Sequence, residues 1–497
     1  MGPPLPIEYA LCPAGVPGDT GWMDEFDEFS EHRETPVPGQ RMGEWVRKHR
    51  IVILYAMLLL AVMSSRGLWG TEELRIPDLI HDLPAWGNRP PQASGGPSIL
   101  YLWLIKASAG LAGPLGSGSI SSFPTWALRL PSVVGSILFL HFFRRWASRF
   151  LQSDVAGLAT LVLCSTPLWF WQSQAIQVDL LYSALLAGSW LCWLAGYLLL
   201  RRLADGTQNE HRRWFAWSQV WFGLAILLKG PQPLLFSALL LLLFLAWQAD
   251  WKALKETLMN WGLPILFIQG VVGYAWNLVP VPDVSSVLHA FSRIQSGWVY
   301  AEYLARDLFP WVLLLPALIL FLRGSGAHKA PLVRFLMLAF LVPFSTCLWG
   351  DGTRGTDPLL AYPFVALLLA GLLQPVYVAG VSATRIRRIG AVLAAALGLA
   401  AIAFFAVSVI RLGGAELQSA IAPMLGSLRL ATLVLALGAL SVAIRCASGE
   451  GEFLVRETAA TMCVVFFIVG SWGFRGLDSK LHTPTFANDQ ARPQSLK

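Results

Sequence analysis

The chain has 497 residues, of which 55% are apolar and only 13% charged. Soluble proteins carry about 25% charged residues, so this composition excludes a soluble globular enzyme, a disordered chain and a coiled coil. The net charge of +7 implies no nucleic-acid partner, because excess Lys and Arg in a membrane protein collects in cytoplasmic loops.

Membrane helices need about 20 apolar residues each, and the apolar content fills roughly a dozen. The unbroken apolar run Leu234–Trp247 excludes a transmembrane barrel, whose strands alternate apolar and polar. The expected fold class is an all-α polytopic membrane protein. Six cysteines occur without a CxxC pair, so no metal cluster or disulfide framework is implied.

Residues 1–45 are polar, acidic around Asp24–Glu31 and proline-bearing. They read as a disordered cytoplasmic tail. Arg47, Lys48 and Arg50 then precede the apolar run Ile51–Ser65. Positive flanks stay inside, so residue 66 onward is outside. Arg144, Arg145 and Arg149 form the next inside cluster, and Leu128–Phe143 is the span that reaches it. Ser98–Leu111 is short, carries Lys106 and reads as an interfacial or re-entrant helix. Basic clusters at Arg201–Arg213, Lys252–Lys255, Arg323–Arg334, Arg385–Arg388 and Arg445–Arg456 then alternate with apolar pairs. The total is about 13 spans, with the N-terminus inside and the C-terminus outside. The domain reading is a core over 46–380, further spans over 381–475 and a short polar tail over 476–497.

Two outer loops are large, 66–127 and about 279–307. Ionisable groups near hydrocarbon are expensive and mark candidate sites. Glu72, Glu73 and Arg75 follow the first span. A carboxylate there can take a proton from an acceptor, and an arginine can hold phosphate in a bidentate fork. The plainer reading is a solvated loop start with a helix-capping charge. Asp179 sits where two spans meet, as a second acid or a helix cap. Lys229 precedes the break Gly230-Pro231, beside a lipid phosphate or merely snorkelling. His289 and Arg293 lie in the second large loop, and no second His supports a zinc site. Arg89 and Asp357 are candidates for the cavity rim. These acids and bases share one predicted membrane face.

Several segments together resemble one family, the bacterial C-type glycosyltransferases, which include lipid A aminoarabinose transferases and relatives of the protein O-mannosyltransferases. Arg129-Leu-Pro-Ser132, Leu228-Lys229-Gly230-Pro231, Phe309-Pro310-Trp311, Gln177-Val-Asp179 and Gly70-Thr-Glu72-Glu73-Leu-Arg75 are similar in order and spacing to that family's motifs. The resemblance covers roughly residues 50–380. It implies a helical bundle with interfacial helices in the first outer loop. It also implies sugar transfer from a polyprenyl-phosphate donor to a lipid, glycan or protein acceptor at the outer face of the inner membrane. By resemblance, Glu72 takes the place of the catalytic Asp and Glu73 matches the Glu after it, with Asp179 assisting. Arg75, Lys229 and Arg293 would hold the donor phosphate. The chain departs from the family at Glu72, one methylene longer, at Gly95-Gly96-Pro97 where the family has Lys-Pro-Pro, and at Thr353–Asp357. A divalent metal occurs in some members, but no residue here supports carrying one over. The other readings are a flippase of lipid-linked glycans, which needs charges near the bilayer midplane, and a non-catalytic accessory member.

Overall fold

A computed structural model describes residues 38–68, 73, 76, 79–80, 99–112, 124–149, 151–202, 208–229, 232–256, 270, 297–324, 330–346, 357–377, 383–409 and 422–475. All regular structure in them is helical. The helices are α1 Pro38–Val62, α2 Ile99–Ala112, α3 Thr125–Ala147, α4 Ser153–Cys164, α5 Pro167–Ser173, α6 Asp179–Arg202, α7 Gln208–Lys229 and α8 Gln232–Gln248. They continue as α9 Trp251–Glu256, α10 Gly297–Asp307, α11 Leu315–Gly324, α12 Pro331–Thr346, α13 Tyr362–Tyr377, α14 Ala383–Val409, α15 Leu425–Ser448 and α16 Gly451–Ile468. A π-turn over Val469–Gly473 extends α16. Because α1 starts at Pro38, residues 38–45, assigned by composition to the tail, are helical.

Among the described residues, five segments are long and apolar enough to cross a membrane: Thr125–Ala147, Asp179–Arg201, Ile386–Val407, Leu425–Ser448 and Phe453–Gly473. A sixth is the pair α4 and α5, bent by 70°. Shorter apolar helices accompany them, Leu100–Leu111 among them. The described residues therefore form an all-α membrane bundle. Leu399, Ile402, Phe405, Leu433, Leu437, Leu440 and Ile444 are exposed on α14 and α15. A contiguous apolar face of that kind suits lipid, since soluble monomers rarely leave one open to water.

The interior is filled by aromatic and aliphatic side chains. Trp193 stacks on Tyr197 and on Phe335, with Phe244 edge-on to all three. Some buried polar groups are paired across helices, as in Trp190 Nε1 donating to Ser237 Oγ at 2.8 Å. Without water such groups must find partners inside the protein. Close packing of α15 on α16 depends on Gly438, where a Cβ would lie 2.4 Å from the Thr461 side chain. Small residues permit such approaches between membrane helices.

One apolar run is not one helix. Residues 155–171 read as a single span, but α4 stops at Cys164 and α5 starts at Pro167. Proline lacks the amide needed to continue the ladder and pushes the residue before it toward extended backbone. Thr166 is extended, at φ −83° and ψ 123°. Hydroxyls meet the carbonyls beside the break: Ser165 Oγ donates to Leu161 O at 2.7 Å and Thr166 Oγ1 to Val162 O at 2.8 Å. Trp311, from the Phe-Pro-Trp segment, is fully buried and donates its Nε1 to Ser165 Oγ at 3.0 Å. The bend turns α5 and the link after it toward the end of α1.

Candidate active site

Asp179 and Lys229 meet because α6 and α7 form an antiparallel hairpin of nearly equal arms, 24 and 22 residues. At 1.5 Å per residue the chain runs out along α6 and returns along α7 to the level where it started. Lys229 Nζ then lies 2.7 Å from Asp179 Oδ1. Asp179 opens α6 and Lys229 closes α7, so each charge also sits where its helix dipole favours it. Nζ lies 4.7 Å from the centroid of the Tyr182 ring, one turn along α6. The two side chains remain 15% and 23% exposed, an ion pair at the rim of the bundle.

A second cluster surrounds Glu73, which is 4% exposed. Arg66 grips its carboxylate with both terminal nitrogens, Nη1 to Oε2 at 3.0 Å and Nη2 to Oε1 at 2.9 Å. Arg129 approaches Oε2 at 3.8 Å, and the amide of Ile176 donates to Oε1 at 3.1 Å. The Arg66 guanidinium lies 4.9 Å from the Trp171 ring, whose other neighbour is Phe474 at the end of the last span. A bidentate fork, a backbone amide and a second cation satisfy a buried carboxylate on every side.

Arg129 ties this cluster to the turn after α1. It is wholly buried and donates to three carbonyls: Met63 at 3.0 Å, Arg66 at 2.7 Å and Gly67 at 2.5 Å. All three carbonyls lie in the turn just past the end of α1 at Val62, where a cation also meets the negative dipole end of the helix. Three residues on, Ser132 Oγ lies 3.2 Å from Tyr101 Oη and 3.5 Å from Gln177 O. The Arg-Leu-Pro-Ser segment is thus a clasp between α1, α2 and the link before α6. Gln174 closes it, accepting Arg66 Nη2 at its carbonyl and donating Nε2 to Leu59 O.

These groups occupy one end of the bundle. Arg129 and Asp179 open α3 and α6, and Lys229 closes α7. The arginines Arg144, Arg145 and Arg201 lie at the opposite ends of α3 and α6. Of the residues singled out by sequence, the structure brings together Glu73, Asp179 and Lys229. Glu72, Arg75, Arg89, His289 and Arg293 lie outside the described residues, as does the side chain of Asp357. Sequence reasoning missed Arg66, Trp171 and Gln174. Arg66 is the first charge after the first span, and that position was the available signal. Among the described residues no group of His, Cys, Asp and Glu could hold a metal ion.

The bundle and its end cluster are similar, in sequence and in fold, to known membrane proteins. Residues 97–276 match the family model described as dolichyl-phosphate-mannose-protein mannosyltransferase, a stretch that holds Arg129, Asp179 and Lys229. The chain is 23% identical over 341 residues to undecaprenyl phosphate-alpha-4-amino-4-deoxy-L-arabinose arabinosyl transferase from Shewanella sediminis. That alignment covers 64% of the chain and 58% of the relative. The fold is similar to that of ArnT from Cupriavidus metallidurans bound to undecaprenyl phosphate, with a TM-score of 0.66 and 16% identity over 86% of this chain and 77% of that one. The apo state of the same ArnT gives a TM-score of 0.66 at 17% identity, covering 87% of this chain and 78% of that one. The family resemblance read from the motifs is borne out.

Proposed function

We propose that the protein transfers a sugar from a polyprenyl-phosphate carrier to a lipid, glycan or protein acceptor at the outer face of a bacterial inner membrane. The observation that carries this reading is the cluster of paired cations and carboxylates at one end of the bundle. Arg66, Arg129 and Lys229 stand there against the carboxylates of Glu73 and Asp179, within an ArnT-like fold. Lys229, with Arg75 and Arg293 from the neighbouring loops, meets the donor phosphate and offsets charge as it leaves, a role that positioned cations perform in a dry site. Glu72 takes the proton from the acceptor nucleophile. Arg89, His289 and Asp357 rim the cavity. The clustering of Arg144, Arg145 and Arg201 at the far helix ends supports an inside location for those ends and an outer one for the site. About 13 spans, with the N-terminus inside and the C-terminus outside, complete this arrangement.

The test is the purified protein in lipid with a panel of polyprenyl-phosphate sugars and an acceptor extract. Released polyprenyl phosphate is followed by mass spectrometry. Release by the wild type and none by Glu72→Gln is the expected result. Equal release by both removes Glu72 from the chemistry, and no release by a folded wild type defeats the reading.

A further inference from the structure

The two carboxylates brought to one end of the bundle are held in opposite ways. Asp179 has one cation on one oxygen and stays partly exposed. Glu73 is buried, and both its oxygens are engaged by Arg66, with Arg129 and the Ile176 amide completing the shell. A general base needs a lone pair within reach of the proton it takes. Both Glu73 oxygens are instead already taken up by donors of the protein, Arg66 on each and the Ile176 amide on Oε1.

What Glu73 touches shows what it can do. Its Oε1 takes the amide of Ile176, three residues before Asp179. The carbonyl of the next residue, Gln177, accepts from Ser132, and that of Gln174 accepts from Arg66. The link 174–178 is therefore pinned by three hydrogen bonds from groups on α1's end, the first loop and α3. It carries no helix of its own, and α6 begins immediately after it. We infer that Glu73, held by Arg66 and Arg129, is a positioning residue that fixes the link 174–178 and through it the Asp179–Lys229 pair. The same fork anchors the backbone next to Glu72, so one buried carboxylate sets the register between the first loop and the start of α6. This inference rests on the glycosyltransferase reading for its kinetic consequence, but its structural consequence is independent of activity.

The test uses the full-length protein in lipid-detergent micelles, with Glu73→Gln as the variant. The first readout is acylation of Lys229 by an N-hydroxysuccinimide acetate reagent, followed by mass spectrometry. Exposed Lys255 at the other end of the bundle is the internal reference. Released from its tether, the link loosens the Asp179–Lys229 pair, and Lys229 labels several-fold faster while Lys255 is unchanged. Equal Lys229 labelling in wild type and variant overturns the inference. Where Glu73→Gln does not fold, Arg66→Lys keeps the charge, loses the fork and is measured in the same way.

The second readout is the pH dependence of donor turnover. A positioning Glu73 predicts a slower Glu73→Gln enzyme whose acid limb stands where the wild type's does, because the titrating base is still present. Loss of that limb makes Glu73 the base and overturns the inference. A wild type that releases no polyprenyl phosphate defeats the proposed function alone, and the labelling result still decides the positioning role.

Discussion

Lys229 Nζ and Asp179 Oδ1 are 2.7 Å apart although 50 residues separate them in the chain. The contact joins the two ends of one helical hairpin at the level of the bundle's cationic cluster. Lys229→Met leaves the Asp179 carboxylate without this partner, which costs roughly 1–3 kcal/mol for a partly buried charged group. Thermal unfolding in micelles is expected to register that loss. Donor titration is expected to show a raised KM, since Lys229 is assigned to the phosphate. A variant with the wild-type KM removes Lys229 from the donor site.

Glu72→Asp separates length from charge. It withdraws the carboxylate by one methylene, and a displacement near 1 Å alters rate by about a hundredfold where geometry is critical. Transfer is expected to persist at a changed rate in Glu72→Asp and to vanish in Glu72→Gln. Steady-state release of polyprenyl phosphate is the measurement. Equal rates for all three proteins place the base elsewhere.

Arg129 is wholly buried and serves three carbonyls. Arg129→Met strands those carbonyls and removes a cation from beside Glu73, a loss of about 3–5 kcal/mol for a broken buried ion pair. Arg129→Lys keeps the charge but cannot serve the three acceptors with a planar fork, and is expected to be intermediate. The order of melting temperatures, wild type above Lys above Met, checks this. A Met variant as stable as wild type contradicts it.

Gly438 tests the packing of the last spans. A Cβ at this position meets Thr461 at 2.4 Å, so Gly438→Val forces α15 from α16 and costs roughly 1–3 kcal/mol by overpacking. Thr461→Ala removes the obstructing atoms and is expected to restore part of the loss in the double variant. Additive effects in a double-mutant cycle exclude the contact as the cause.

Asp250 gives a pH prediction at the opposite end of the bundle, between α8 and α9. Burial pushes its carboxyl up, but hydrogen bonds from Arg201 and from the Ala253 amide outweigh that and hold it below the ordinary value. Its stabilising contribution is therefore present above the unfolded-state pKa and is lost as pH falls through the lower, folded-state pKa. The difference in melting temperature between wild type and Asp250→Asn is expected to hold from neutral pH down to the ordinary carboxylate range and to shrink below it. A difference that grows with acid reverses the sign and rejects the assignment.

Much of the bundle is legible in the sequence because hydrocarbon imposes a simple rule on composition. The apolar stretches around Leu128–Phe143, 180–200 and 426–444 become α3, α6 and α15. The short apolar stretch at 98–111 becomes α2, packed on α3 through Tyr101 and Ser132. Composition does not reveal the break at Ser165–Thr166, because apolar residues continue through it, although Pro167 marks its place. Asp179 and Lys229 are each visible as a charge at a span end. Their pairing depends on two helices of matched length turning back on each other, and no local pattern records that. Glu73 and Arg66 are seven residues apart, yet their fork is assembled by Arg129 and Ile176 from elsewhere in the chain.

The clasp of Arg129 on Met63, Arg66 and Gly67 also bears on biogenesis. Membrane spans enter the bilayer in the order of synthesis, and α1 precedes α3 by more than sixty residues. The carbonyls of the turn after α1 lack this donor until the later helix arrives with its guanidinium. The turn after α1 gains these three hydrogen bonds only when the Arg-Leu-Pro-Ser segment docks. An assembly defect in Arg129 variants is then expected to expose the region around residue 66 to added protease while the remaining helices keep their protection.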